Sequence, residues 1–261
     1  MPSATPLRWL YARFAPPPLR EFLRNSGLWG WVRPRWRRAC QRIGGRTHFI
    51  RRRLHPISRI SGFDRGVPID RYYIERFLAA HAADISGRVL EFGDDRYTLQ
   101  FGGGRVTQCD VLEYAEGNSK ATIVADLAAA DQISSDTFDC IICTQTLQMI
   151  FDVRAAVFHL HRILRPGGVL LATTHGTAKI CRRLGRDDWG EYWRFTGQSA
   201  ERLFGEVFQP RNVNVEAHGN VFAASAFLYG FATEELKPRD LDYRDPDYEL
   251  LITIRAMKST A

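Results

Sequence analysis

Three carboxylates stand behind short apolar runs in the middle of this chain, at a spacing that suits a nucleotide. Glu91 and Gly93 close the run RVLEF, Asp110 follows nineteen residues after Glu91, and Asp126 with Leu127 closes ATIVADL. An apolar run broken by glycine reads as a buried strand that delivers its carboxyl end to a ligand. An acid there is a costly choice for packing, because a buried charge must be paired or hydrogen-bonded. An acid about twenty residues beyond the first glycine turn can accept both hydroxyls of a ribose. One at the next strand end can accept from an adenine amino group. Taken singly, each acid reads equally well as a helix N-cap or a turn residue; on three successive strand ends they point to one edge of one sheet.

Further groups fall at the same edge. Thr144 and Gln145 follow a fourth apolar run, FDCIIC, and His175 follows a fifth, VLLATT. His175 is the best-placed general base for an oxygen acceptor, with Asp188 and Glu191 behind it, or else a structural histidine. Trp189, Tyr192, Trp193 and Arg194 crowd aromatic and charged groups into DWGEYWRFT. Such a segment suits a sugar or other polyhydroxylated acceptor, whose faces are apolar and rims polar; its competing reading is a small hydrophobic core under a long loop. His218 reads as structural. Cys140 and Cys143 have the spacing of metal ligands but no second pair, so they read as small core residues and no metal site is expected.

The elements that must position these groups follow from periodicity. Pro68, with Asp70 close behind, starts a helix with Tyr73, Ile74, Phe77, Leu78 and His81 at helical spacing. The polar stretch before it, GFDRGVPIDR, is either a connector or a loop that closes over a ligand. Strands are expected at RVLEF, RVTQCDVL, ATIVADL, FDCIICTQ and VLLATT. A helix over 152–164 lies before the last of these, with Ala155, Ala156, Phe158, Leu160, Ile163 and Leu164 inward, and the turn RPGG ends it. Later come the helix SAERLFGEVF, the strand NVNVEAHG, the helix NVFAASAFLYGFA and a closing strand LLITIRAMK. This alternation is that of a doubly wound, mostly parallel α/β sheet that binds ligand at its carboxyl ends.

Charge divides the chain in two. Residues 1–63 hold 14 Arg and one acid, a net of +13, so the remainder carries −6 of the overall +7. Residues 1–55 form a basic, aromatic-rich extension ahead of a domain over 56–261. Arg interleaved with Trp suits a helical cap on the domain or on a partner protein, contact with an anionic membrane surface, or nucleic acid, the last being disfavoured. Five cysteines without a secretory h-region indicate a reducing, cytoplasmic setting. No window is long and apolar enough to cross a membrane.

From Gly87 to about Thr174 the chain resembles class I S-adenosylmethionine-dependent methyltransferases of the type 11 kind. FDCIICTQTLQMIFDVRAAVFHLHRILRPGGVLLATT carries the most specific part of that resemblance. The resemblance implies a seven-stranded Rossmann-like sheet whose last strand inserts antiparallel, S-adenosyl-L-methionine as cofactor and a small-molecule acceptor; the aromatic segment and the basic arm favour a saccharide or lipid-linked glycan, with O-methylation. It places the methionine end of the cofactor at Glu91 and Gly93, the ribose at Asp110, the adenine at Asp126 and Leu127, and the pocket wall at Thr144 and Gln145. One motif departs from the family pattern: E-x-G-x-G-x-G has become EFGDDRYT, with Asp94, Asp95 and Tyr97 in and around the later glycine positions. Side chains there narrow the approach of a cofactor. That departure motivates an inert binding module as the alternative, and the basic arm motivates an RNA methyltransferase. The absence of GxGxxG argues against a dehydrogenase.

Overall fold

A computed structural model describes residues 54–181 and 190–260. Its centre is a seven-stranded sheet of β1 (Gly87–Phe92), β2 (Val106–Glu113), β3 (Ile123–Val124), β4 (Phe138–Thr144), β5 (Leu164–His175), β6 (Val213–His218) and β7 (Leu251–Met257). The spatial order is β3-β2-β1-β4-β5-β7-β6. Strands β1 to β5 pair parallel, and β7 enters antiparallel between β5 and β6. The strand order reverses between β1 and β4, the topological position at which sheets of this kind receive ligands.

Alternating side chains bury both faces of the sheet. Leu90, Ile141, Cys143, Leu170 and Ala172 pack under α2 (Val153–Ile163) and α3 (Gly197–Phe208). Val89, Cys140, Ile142 and Leu171 pack under α1 (Ile69–Ala80) and α4 (Val221–Tyr229). Cys140 and Cys143 thus face opposite sides of β4 as core residues. Burial pushes the Cys143 thiol up to about 12 and Cys140 higher still. No group of three or more potential metal ligands occurs among the described residues.

Four expectations need correction. The third strand is only Ile123–Val124, because Asp126 turns the chain by capping a 3-10 turn through the Ala128 amide (2.9 Å). The stretch RPGG does not end α2 as a free turn: β5 begins at Leu164, and RPGG bulges out between the pairs Phe138↔Leu164 and Cys140↔Val169. In α2 the inward residues are Ala156, Val157, His159, Leu160 and Ile163, while Phe158 is exposed. His81 lies past the end of α1, 3.5 Å from Asp84. The stretch ahead of α1 is a pinned connector, with Ile57 and Ser58 amides on the Tyr229 carbonyl and the Thr233 amide on the Val67 carbonyl. Arg65 and Glu235 form a buried ion pair beside it. Among the described residues no helix is long and apolar enough to cross a membrane. The extension 1–55 falls almost wholly outside the described residues.

Candidate active site

The carboxyl edge of the sheet gathers most of the expected groups. Glu91 is buried one residue before the end of β1, and its two oxygens accept from the amides of Tyr97 (3.0 Å) and Thr98 (2.7 Å). Burial pushes its carboxyl up to about 7 despite those hydrogen bonds. Glu91 therefore holds the loop that follows Gly93. Gly93 itself has φ +78°, and a Cβ built on it would meet no heavy atom within 4 Å. That conformation favours glycine, and the space beside it is open to a ligand.

The two side chains at the missing glycine positions are held by partners of their own. Tyr97 is buried, stacked on Phe101, and its hydroxyl accepts from Arg71 Nη1 at 3.3 Å. Asp95 reaches Lys120 at 2.5 Å.

Asp110 is not at the end of its strand. It pairs with Leu90 in mid-strand, where Arg88 Nε (2.7 Å), Gln108 Nε2 (3.1 Å) and Thr122 Oγ1 (3.1 Å) donate to its carboxylate. The apolar Val111 and Leu112 carry β2 onward, with Leu112 level with Phe92, so the acid at the carboxyl end is Glu113. Asn118 Nδ2 donates both to Glu113 Oε2 (3.1 Å) and to the Gly93 carbonyl (2.6 Å), tying the two strand ends together. The signal for Glu113 lay in the sequence as an acid following two more apolar residues.

Asp126 is exposed with one oxygen occupied by its cap, and the Leu127 side chain is in the core. The exposed Asp126 carboxylate keeps its second oxygen for a ligand, while Leu127 offers its backbone.

After β4 the chain turns sharply. Gln145 has φ +54°, its amide donates to the Thr173 carbonyl (2.9 Å), and its Nε2 donates to Thr173 Oγ1 (3.2 Å). Gln148 Nε2 donates to the Gln145 carbonyl (2.9 Å) and Oε1 (3.1 Å). The Gln148 carbonyl in turn accepts from the amides of Tyr192 (2.8 Å) and Trp193 (3.2 Å). Trp193 Nε1 donates to the carbonyls of Ile150 (3.0 Å) and Phe151 (3.2 Å).

These bonds hold three exposed rings together: Phe151 meets Tyr192 edge-on at 5.3 Å and stacks on Trp193 at 6.1 Å. Arg194 pairs with the buried Glu191 at 2.6 Å, and Glu191 also accepts from the Cys181 amide. Trp189 and Asp188 lie outside the described residues. Phe195 is a core residue, with its amide on the His175 carbonyl (3.0 Å).

His175 ends β5, buried, with Nε2 3.5 Å from Asp70 Oδ2 at the start of α1 and its ring 5.8 Å from that of Phe227. Burial raises the Asp70 carboxyl, but the contact with His175 and the Arg71 charge outweigh it, so Asp70 titrates below the usual carboxylate range. Among the described residues, Asp70 Oδ1, Arg71 Nε, Thr98 Oγ1, Gln148 Oε1, Thr174 Oγ1 and both His175 ring nitrogens are buried without a hydrogen-bond partner. Buried polar atoms are rarely left so. Their concentration at the carboxyl edge marks a place where a bound molecule supplies the missing partners. His218 takes no part: it bonds Thr253 Oγ1 (3.0 Å), and burial lowers it to about 4, keeping it neutral.

The groups present fit S-adenosylmethionine. Arg71 offers a donor for a carboxylate, Gly93 an open cradle, and Glu113 an acceptor for a ribose diol at the strand end. Arg71, Asp70, Glu113, Asn118, Gln148 and Phe151 were not singled out as site residues from the sequence.

Among solved structures, the cyclase SpnF is 14% identical, with 80% of this chain and 88% of that one covered at a TM-score of 0.49. An S-adenosylmethionine-dependent methyltransferase from Mesorhizobium loti is 14% identical (73% and 98% covered, TM-score 0.47). One from Archaeoglobus fulgidus is 8% identical (72% and 94%, TM-score 0.49). No curated protein matches. Residues 69–227, more than half of the chain and the span that holds β1 to β6, match the family model of the methyltransferase domain, and the chain belongs to that family of S-adenosylmethionine-dependent methyltransferases.

Proposed function

We propose that this methyltransferase transfers the methyl group to a hydroxyl of a polyhydroxylated acceptor, a saccharide or lipid-linked glycan, with His175 as general base. The observation that carries the reading is the ring platform of Phe151, Tyr192 and Trp193. It stands beside the Glu191–Arg194 pair and is bonded to the loop that leaves β4 at the cofactor edge. Aromatic faces stack on the apolar faces of a sugar while charged neighbours meet its hydroxyls, and this division of labour needs no deep apolar pocket.

The cofactor, when bound, supplies a methyl group already activated as a sulfonium. In this reading Arg71 holds the carboxylate of the cofactor, the Gly93 loop its amino-acid end, and Glu113 its ribose in place of Asp110. The free oxygen of Asp126 and the backbone of Leu127 meet the adenine, and Thr144 and Gln145 close the wall. What remains for the chain is to orient the acceptor and take up its proton. Against the inert-module alternative stand the burial of Tyr97, the pairing of Asp95 with Lys120 and the open space beside Gly93.

The test offers the purified protein labelled S-adenosylmethionine with methyl glycosides, undecaprenyl-linked sugars and non-sugar metabolites in parallel. Labelled glycosides or lipid-linked sugars are expected, with transfer at least tenfold lower in Trp193→Ala. Label in the metabolites alone would overturn the acceptor assignment.

A further inference from the structure

We infer that Asp70 is the positioning residue of a His–Asp pair that fixes the ring of His175 with Nδ1 turned to the acceptor, so that this site serves a neutral hydroxyl. The inference rests on the methyl-transfer reading above and adds to it a residue from α1, outside the strands that build the cofactor edge.

Three observations meet at this pair. Asp70 Oδ2 stands 3.5 Å from His175 Nε2, on the α1 side of the sheet. Both residues are buried, and neither ring nitrogen makes a hydrogen bond among the described residues: the Asp70 carboxylate stands at ion-pair distance from Nε2, and Nδ1, on the far side of the ring, faces no partner. A structural histidine in a core normally has both nitrogens satisfied or one facing water. This ring has neither, in contrast to His218, which bonds Thr253 and stacks on Tyr73.

The surroundings keep the carboxylate ionised. Arg71 follows it on α1, and its charge helps hold Asp70 below the usual range. From the segment after β5 the neighbouring titratable group is Cys181, with Glu191 and its partner Arg194 beyond it. Helix α4 contributes the Phe227 ring, and β7 places Leu251 opposite His175. No other carboxylate contacts the His175 ring among the described residues.

An ionised carboxylate at Nε2 assigns the ring proton to that nitrogen and leaves the Nδ1 lone pair as the base. In the reaction the acceptor O–H proton passes to Nδ1. The oxygen electron pair forms the O–CH3 bond as the bond from methyl to sulfur breaks, and sulfur leaves with that pair as a neutral thioether. The imidazolium so formed is stabilised by Asp70, then returns its proton to solvent. An amine already free of its proton would need no such pair.

The experiment uses the full chain with 15N-labelled histidine, and His175 signals are identified by their loss in His175→Gln. Wild type is expected to show the Nε2–H tautomer, and Asp70→Asn a mixture. In transfer to methyl glycosides, Asp70→Asn is expected to lower kcat about 100-fold, within the usual range for general-base catalysis, with KM and calorimetric affinity for S-adenosylhomocysteine unchanged; Asp70→Glu is expected to recover part of the loss. A wild-type Nδ1–H tautomer, or an unchanged kcat in an Asp70→Asn protein that binds S-adenosylhomocysteine, would overturn the inference. Failure of the wild type to bind S-adenosylhomocysteine would instead overturn the methyl-transfer reading, while the tautomer still decides the pairing.

Discussion

Glu91 shows how a residue that is plain in the sequence can act differently from its first reading. As an acid at a strand end it suggested direct contact with the cofactor; its oxygens instead accept from the Tyr97 and Thr98 amides and so shape the loop. Its carboxyl is pushed up to about 7 by burial, against 4.5 for the free group. A carboxyl raised on folding binds a proton more tightly in the native state. Its contribution to stability is therefore complete below about pH 4.5 and lost as pH rises through about 7. The difference corresponds to roughly 3 kcal/mol at 1.36 kcal/mol per unit. Urea unfolding of wild type and Glu91→Gln at pH 5 and pH 8 checks this: wild type is expected to lose more stability across the interval than the variant, and parallel pH dependence would refute it. Asp110 was legible as a buried acid but not as a mid-strand one, because its partners Arg88 and Thr122 become neighbours only when β2 pairs with the strands on either side.

Helices were legible where one face is buried and the other is not, and strands where a short apolar run is buried on both faces. The strands β1, β4 and β7 and the helices α1, α2 and α3 follow the periodicity of their apolar residues to within a few positions. Where side-chain bonds decide, periodicity fails: the Asp126 cap cuts β3 short, and the RPGG bulge is a matter of register with β4. Helix α4 is apolar on nearly all sides, so its start is fixed by a cap instead of by amphipathicity. Asn220 Oδ1 accepts from the Phe222 (3.0 Å) and Ala223 (2.9 Å) amides, while its Nδ2 donates to the carbonyls of Asp240 (2.9 Å) and Tyr243 (2.8 Å). Loss of a cap alone costs about 1 kcal/mol. Because Asn220→Ala also strands two carbonyls, the expected loss in chemical denaturation is about 2–4 kcal/mol. Asn220→Asp, which keeps the cap but not the donors, should fall between. Equal stability of Asn220→Asp and wild type would show that the two carbonyl contacts contribute nothing.

At the scale of the whole molecule, the sheet order and the antiparallel β7 are what bring five strand ends and the start of α1 to one edge. None of the individual runs states that order; the alternation of strands and helices does, together with the family motifs. A ligand held by residues of β1, β2 and α1 binds only the folded chain, so its free energy adds to global stability. At 100 times its dissociation constant, S-adenosylhomocysteine should stabilise the protein by about 2.7 kcal/mol, a rise of roughly 5–11 °C in Tm for a domain of this size. The two candidate ribose acids separate in the same measurement. Glu113→Ala leaves a partly exposed strand end and should cost little stability, yet lower the affinity about tenfold or more through loss of a charge-assisted contact. Asp110→Ala removes the partner of Arg88 and should lower Tm without ligand while leaving the ligand-induced rise intact. If the rise instead survives in Glu113→Ala and vanishes in Asp110→Ala, the strand-end assignment is wrong, and the ribose lies over the middle of β2.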